Sequence, residues 1–195
     1  RQVAICVKNS HCFKSGILMK RRNMLKMAGG FLLLLPGAQA LALKAGTSSE
    51  IADVSEEALA NLFDLSVPDM SGQAHTVREY TNKPLVLNFW ATWCPPCVKE
   101  MPDLEALHQA YPQVNFVGFA ADTERNMRKF EEKVTVSYPL LVAGMGSISL
   151  MKKLGNKTGG LPFTLIFETG GKLSHKILGQ VEKDELEQIL KTLSS

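Results

Sequence analysis

The sequence predicts an α/β domain whose mixed sheet is covered by helices on both faces. Two observations carry that prediction. Short apolar runs, continuous enough for strands buried on both sides, alternate with segments whose apolar residues recur at helical spacing. The alternation then closes on a hairpin signal and one last helix, which makes the sheet mixed. A chain of 195 residues, 45% hydrophobic and 21% charged, fits one such domain with an appendage.

The elements follow in order. Ala45 to Asn61 is polar and holds either a linker or a short helix around Ser55 to Ala60. Leu62 to Ser66 reads as a short strand, and Pro68-Asp69-Met70-Ser71-Gly72 as a turn. After Pro84, Leu85-Val86-Leu87-Asn88-Phe89-Trp90 suits a buried parallel strand. From Pro95, Val98, Met101, Leu104, Leu107 and Tyr111 fall at helical spacing, and Pro102 should kink that helix. Val114 to Ala120 is a second buried strand. Asp122 or Thr123 caps a helix running to about Val134. Leu140 to Val142 is a short strand, and Ser147 to Leu154 a helix stopped by Gly155. Phe163 to Phe167 and Leu173 to Leu178 flank the hairpin turn Glu168-Thr169-Gly170-Gly171-Lys172. Leu186, Ile189, Leu190 and Leu193 mark the last helix.

Charge divides the chain. Residues 1–40 carry seven of the 22 Lys and Arg and no Asp or Glu, so residues 41–195 are net negative. The basic balance therefore belongs to a leader and is no argument for a nucleic-acid partner. Met19 is the expected start. Lys20-Arg21-Arg22, the apolar stretch Met27 to Leu35 and Ala38-Gln39-Ala40 then form a secretory signal peptide, with cleavage after Ala40 or, second, after Ala42. Arg21-Arg22-Asn23-Met24-Leu25-Lys26 fits twin-arginine export as well as an ordinary charged head. The division expected is a leader at 1–40, a linker or short helix at 41–61 and the domain at 62–195. The expected location is the bacterial periplasm, with the protein soluble after cleavage or weakly anchored to the inner membrane.

Chemistry concentrates at Trp93-Cys94-Pro95-Pro96-Cys97. Cys6 and Cys12 precede Met19, so Cys94 and Cys97 are the cysteines of the mature chain. They follow a buried strand and open a helix. Unpaired N–H groups and the helix dipole stabilise a thiolate at Cys94, and Pro95 suits the first turn. Cys94 is expected to be the exposed nucleophile and Cys97 the buried resolving thiol. Trp93 forms an apolar lip. A structural staple across so short a loop would stabilise little. A zinc site lacks a second ligand pair, since His11, His75, His108 and His175 are scattered. Two thiolates can still hold Cu(I). No metal or other cofactor is assigned.

The run Val86 to Pro102, with Trp93-Cys94-Pro95-Pro96-Cys97 at its centre, and the second motif Gly160-Leu161-Pro162-Phe163-Thr164-Leu165-Ile166 resemble the thioredoxin superfamily. More narrowly they resemble its exported TlpA/ResA/DsbE-type thiol-disulfide oxidoreductases, over about Phe63 to Leu193. The resemblance implies a thioredoxin-like fold in which Phe116 to Val142 is that branch's extra βαβ insertion. It implies that Pro162 is a cis-proline facing the dithiol and that the backbone of Leu161 pairs with an extended substrate. Trp93 and Pro95 join these as substrate contacts. It offers Glu100 as a proton-transfer residue, with a solvated helix position as the equal alternative. At Asn88 cytoplasmic thioredoxin usually has a buried Asp. Asn cannot take a proton from Cys97, so Glu100 or water is left as the base.

The implied function is a periplasmic protein-disulfide reductase, acting in cytochrome c maturation or metal-site assembly. A membrane electron donor of the DsbD/CcdA type would re-reduce it. The partner is a disulfide-bearing periplasmic protein, and the oligomeric state expected is a monomer. The alternatives are a disulfide-forming oxidase and a non-enzymatic Cu(I)-binding chaperone. A peroxidase reading has no motif behind it.

Overall fold

The computed structural model describes residues 53–194. The expected start at Met19, the cleavage sites after Ala40 and Ala42, and Cys6 and Cys12 lie outside the described residues.

The first element is helix α1, Glu56–Asp64. Ser55 caps it by accepting a hydrogen bond from the Ala58 N–H, and Glu56 and Glu57 suit its positive end. Leu62 and Phe63, expected to open a strand, are instead buried in its last turns. Ala58 and Leu62 stand one turn apart on the buried face, and that spacing competes successfully with the local strand signal. The helix thus crosses residue 62. The strand starts later, as β1 at Ser66–Pro68, paired antiparallel with β2 at Ala74–Thr76. A 3₁₀ turn over Val77–Tyr80 follows. Neither β2 nor this turn was read from the sequence, because both are short and largely exposed.

The main sheet matches the expectation closely. β3 is Leu85–Trp90, with all six residues buried. Helix α2, Pro95–Ala110, continues without interruption through the exposed Pro102, where a kink was expected. β4 is Asn115–Ala120. Helix α3, Glu124–Glu131, is capped by Thr123 and ends short of Val134, where the Phe130 carbonyl accepts from both the Lys133 and Val134 N–H groups. β5 is Leu140–Val142 and α4 is Ser147–Lys153. Gly155, just past α4, has φ of +87°, which glycine adopts without a Cβ penalty. β6, Phe163–Phe167, and β7, Leu173–Leu178, form the hairpin, and α5 spans Lys183–Leu193.

The strand order is β5-β4-β3-β6-β7. β3, β4 and β5 run parallel, while β6 adds antiparallel to β3 and β7 antiparallel to β6. β4, α3 and β5 make the expected βαβ unit. The small β1–β2 hairpin touches that edge through an isolated bridge between Asp69 and Leu141.

Strand parity sorts the core into two clusters. Leu85, Leu87 and Phe89 of β3 join Phe163, Leu165 and Phe167 of β6 under α1 and α4. Val86 and Trp90 join Ile166 and the inner faces of α2, α3 and α5. The second cluster contains both cysteines.

Candidate active site

The site is assembled where β3 ends. The backbone leaves the strand at Trp90, and the Cys94 N–H bonds the Ala91 carbonyl at 3.2 Å. Cys94 is the N-cap of α2, and its Sγ accepts from the Cys97 N–H at 3.4 Å. Pro95 occupies the first turn, where its missing N–H leaves nothing unpaired. Cys94 and Cys97 form a disulfide with Cα atoms 5.3 Å apart.

Burial corrects one expectation. Trp93 is 54% exposed, as an apolar lip should be, but Cys94 is only 4% exposed and Cys97 fully buried. Cys94 is therefore not an exposed residue in the disulfide form. Its sulfur is bonded to Cys97, and both cysteines pack into the apolar cluster beneath α2. Pro95 and Pro96 between them are exposed.

A buried carboxylate, Asp122, holds the loop ahead of the cysteines. It accepts from the Thr92 N–H at 3.0 Å and the Thr92 hydroxyl at 2.6 Å. It also accepts from the Thr123 N–H and the Asn126 amide. Burial alone would raise its pKa, but these bonds outweigh burial and hold it below the ordinary carboxylate value. The sequence offered Asp122 only as a helix cap. Thr123 takes that role, with its hydroxyl accepting from the Asn126 N–H.

Glu100 is not a solvated helix residue. It is fully buried, three residues after Cys97 and so on the same side of α2. Its Oε1 accepts from Asn88 Nδ2 at 2.8 Å, and its Oε2 from the Val181 N–H at 2.7 Å. Burial pushes the carboxyl up to about 7 from an ordinary 4.5, against these two bonds, which favour the ionised form. Asn88 also donates to Thr164 Oγ1 at 3.0 Å. Thr164 sits directly opposite Asn88 in the β3–β6 register. The sequence reading included Thr164 only within its second motif and missed the Val181 N–H. A signal for Thr164 was present: Asn88 and Thr164 are the polar interruptions of two otherwise apolar strands.

The peptide bond between Leu161 and Pro162 is cis, as the resemblance implied. Pro162 is buried, and the half-buried Leu161 packs against both core clusters, including that of the cysteines. Leu161 precedes β6, whose pairing begins at Phe163. The described histidines stand apart. His75 lies between Asp69 and Glu79, His108 packs edge-on to Phe116 and Tyr138, and His175 bonds Ser174. Among the described residues no group of three or more His, Cys, Asp and Glu is arranged to hold a metal ion.

A dithiol/disulfide pair at the start of a helix, after the central strand of a mixed sheet, defines a thioredoxin-like thiol-disulfide oxidoreductase. Comparison with known proteins sharpens that class. Residues 50–193 match the Redoxin family model. The chain is 30% identical over 178 residues to the thiol-disulfide oxidoreductase ResA of Geobacillus thermodenitrificans, covering 90% of this chain and 99% of that one. Among solved structures, it resembles a thioredoxin-related protein from Neisseria meningitidis serogroup B. There the identity is 32% and the TM-score 0.58, over 66% of this chain and 98% of that one. It also resembles a secreted Mycobacterium tuberculosis disulfide oxidoreductase homologous to E. coli DsbE, at 25% identity and TM-score 0.58, over 71% and 100% of the two chains. The chain belongs to the Redoxin family.

Proposed function

We propose that the protein reduces disulfides of extracytoplasmic proteins, in the bacterial periplasm. The observation that carries this reading is the Cys94–Cys97 pair at the α2 N-terminus with a buried carboxyl, Glu100, on the same side of the helix. In the reduced form the Cys94 thiolate attacks a substrate disulfide. One substrate sulfur leaves as a thiolate, and Cys94 is held in a mixed disulfide. Glu100 takes the proton of the Cys97 thiol. The Cys97 thiolate then attacks Cys94 Sγ and expels the second substrate sulfur. Two electrons have passed to the substrate, whose two thiolates take one proton from Glu100 and one from water, and the Cys94–Cys97 disulfide seen here is the product state. A carboxyl near neutrality suits a proton acceptor working at that pH.

Trp93, Pro95, Leu161 and Pro162 form the substrate contact, with the Leu161 backbone pairing an extended segment. The leader, the resemblance to ResA and the secreted Mycobacterium tuberculosis relative support the extracytoplasmic location. A membrane dithiol donor of the DsbD/CcdA type closes the cycle, and cytochrome c maturation or metal-site assembly is the setting. The reduction potential of the pair, measured against defined thiol buffers, tests the direction. A value near about −270 mV supports reduction, and one near about −120 mV means disulfide formation instead.

A further inference from the structure

The two oxygens of Glu100 are held by unlike partners. Oε2 faces the Val181 N–H, a backbone donor that cannot become an acceptor. A neutral carboxyl accepts best through its carbonyl oxygen, so Oε2 is the oxygen that keeps the Val181 N–H. Oε1 faces Asn88 Nδ2, one end of an amide whose other end is an acceptor. Asn88 in turn faces the Thr164 hydroxyl, which either accepts or donates according to its rotation. The proton of a neutral Glu100 therefore belongs on Oε1, and it finds an acceptor only if the amide is reversed. The geometry seen here, with Nδ2 toward both oxygens, is that of the ionised carboxylate.

We propose that Asn88 is a positioning residue for Glu100: its side-chain amide turns over when the carboxyl takes up a proton, and the Thr164 hydroxyl turns with it from acceptor to donor. In the protonated state the Glu100 O–H and the Thr164 O–H both donate to Asn88 Oδ1. In the ionised state both oxygens accept from Nδ2. The switch rests on the reading of Glu100 as acceptor of the Cys97 proton, and it gives that acceptor a satisfied partner in both states. An unpartnered buried polar atom in either state would bias the carboxyl strongly toward the other. An aspartate at this place could not donate to an ionised Glu100, whereas an asparagine serves both states. The surroundings leave the switch to Glu100's own proton. In the disulfide form Cys97, one turn earlier on α2, does not titrate. Tyr138 ahead of β5 is the titratable group coupled to Glu100, and the Glu105 and Glu100 charges, after burial, hold the Tyr138 phenol above its ordinary value. β3, β6 and the segment before α5 present the neutral Asn88, Thr164 and Val181 N–H.

The test is an NMR titration of the oxidised full chain. It follows the Glu100 carboxyl carbon together with the cross-relaxation between the Asn88 amide protons and the Thr164 side chain. The expected result is strong cross-relaxation above the Glu100 midpoint and its loss below, with one shared midpoint. Cross-relaxation that persists on both sides of that midpoint overturns the switch. Asn88→Asp keeps an acceptor for the neutral form but offers no donor to the ionised one, and should raise the Glu100 midpoint by roughly one to two pH units. An unmoved midpoint also overturns it. The parent reading is separated by the rate of mixed-disulfide resolution in Glu100→Gln. If that rate keeps the wild-type pH profile while Asn88 still reorients with Glu100, the proton-acceptor role fails and the switch stands.

Discussion

On one face of the sheet, Leu85, Leu87 and Phe89 meet Phe163, Leu165 and Phe167 in a layer with no buried polar side chain from either strand. On the other face, the alternate positions Val86 and Trp90 bracket Asn88, which stands opposite Thr164 and beside Gly118. The first face is closed by α1 and α4 and serves the fold. The second is closed by α2, α3 and α5 and carries the disulfide, Glu100 and their hydrogen bonds. The same two strands therefore build a dry layer and a reactive one, separated only by the alternation of side chains. Chemistry here requires polar groups inside the core, and Asn88, Glu100 and Thr164 are tolerated because they bond one another and the Val181 N–H.

That contrast can be broken at several points. The largest effect belongs to the reactive face. Cys94→Ser should lower disulfide reduction by on the order of 10³-fold or more, and Cys97→Ser should trap mixed disulfides visible on non-reducing gels. Full turnover in Cys94→Ser would remove the assignment altogether. On the dry face, Phe89→Ala should cost about 3–5 kcal/mol in urea unfolding, because a fully buried ring leaves a cavity. Whatever remains folded should retain the reduction potential of the wild type.

Next comes the pH dependence of stability. The Glu100 carboxyl is held up at about 7 in the fold against an ordinary 4.5, so folding favours its protonated form. Its contribution is fully present below about pH 4.5 and is lost as pH rises through about 7. The total loss is on the order of 3 kcal/mol. Glu100→Gln should remove that decline from a series of unfolding curves, since Gln Oε1 still accepts from Val181 and its Nε2 finds the reversed Asn88 amide. A decline of unchanged size would place its source elsewhere.

Smaller effects sharpen the same boundary. A Cβ at Gly118 would lie 2.6 Å from Leu140 Cδ2 and 3.0 Å from Trp90 Nε1. Gly118→Ala should therefore cost about 1–3 kcal/mol by overpacking on the reactive face, read as a lower midpoint in thermal unfolding. Ser55→Ala, which removes the cap of α1 behind the dry face, should cost about 1 kcal/mol and leave the redox chemistry untouched.

Much of this was legible before any coordinates. β3, β5 and β6 fall where their apolar runs place them, because a run buried on both faces has few other solutions, and β7 falls where the hairpin signal places it. The boundary of α1 was not legible. Leu62 and Phe63 suit a strand as well as a helix, and what decides is the cluster into which they pack. The cysteines and Pro162 were visible as motifs. The burial of Cys94 was not, since a sequence shows that a thiol opens a helix but not what packs over it.

By itself the sequence determined the α/β order from β3 onward, the dithiol at the start of α2 and the polar residues that interrupt β3 and β6. These are local properties, set by side-chain period, capping and spacing. Only the tertiary structure decided that Glu100 is buried and that Asn88 meets Thr164 76 residues away in the chain. It also decided that the Val181 N–H, 81 residues from Glu100, closes the network. The environment that sets a carboxyl's proton affinity is made of groups from distant segments, and only the register of strands and the docking of helices bring them together.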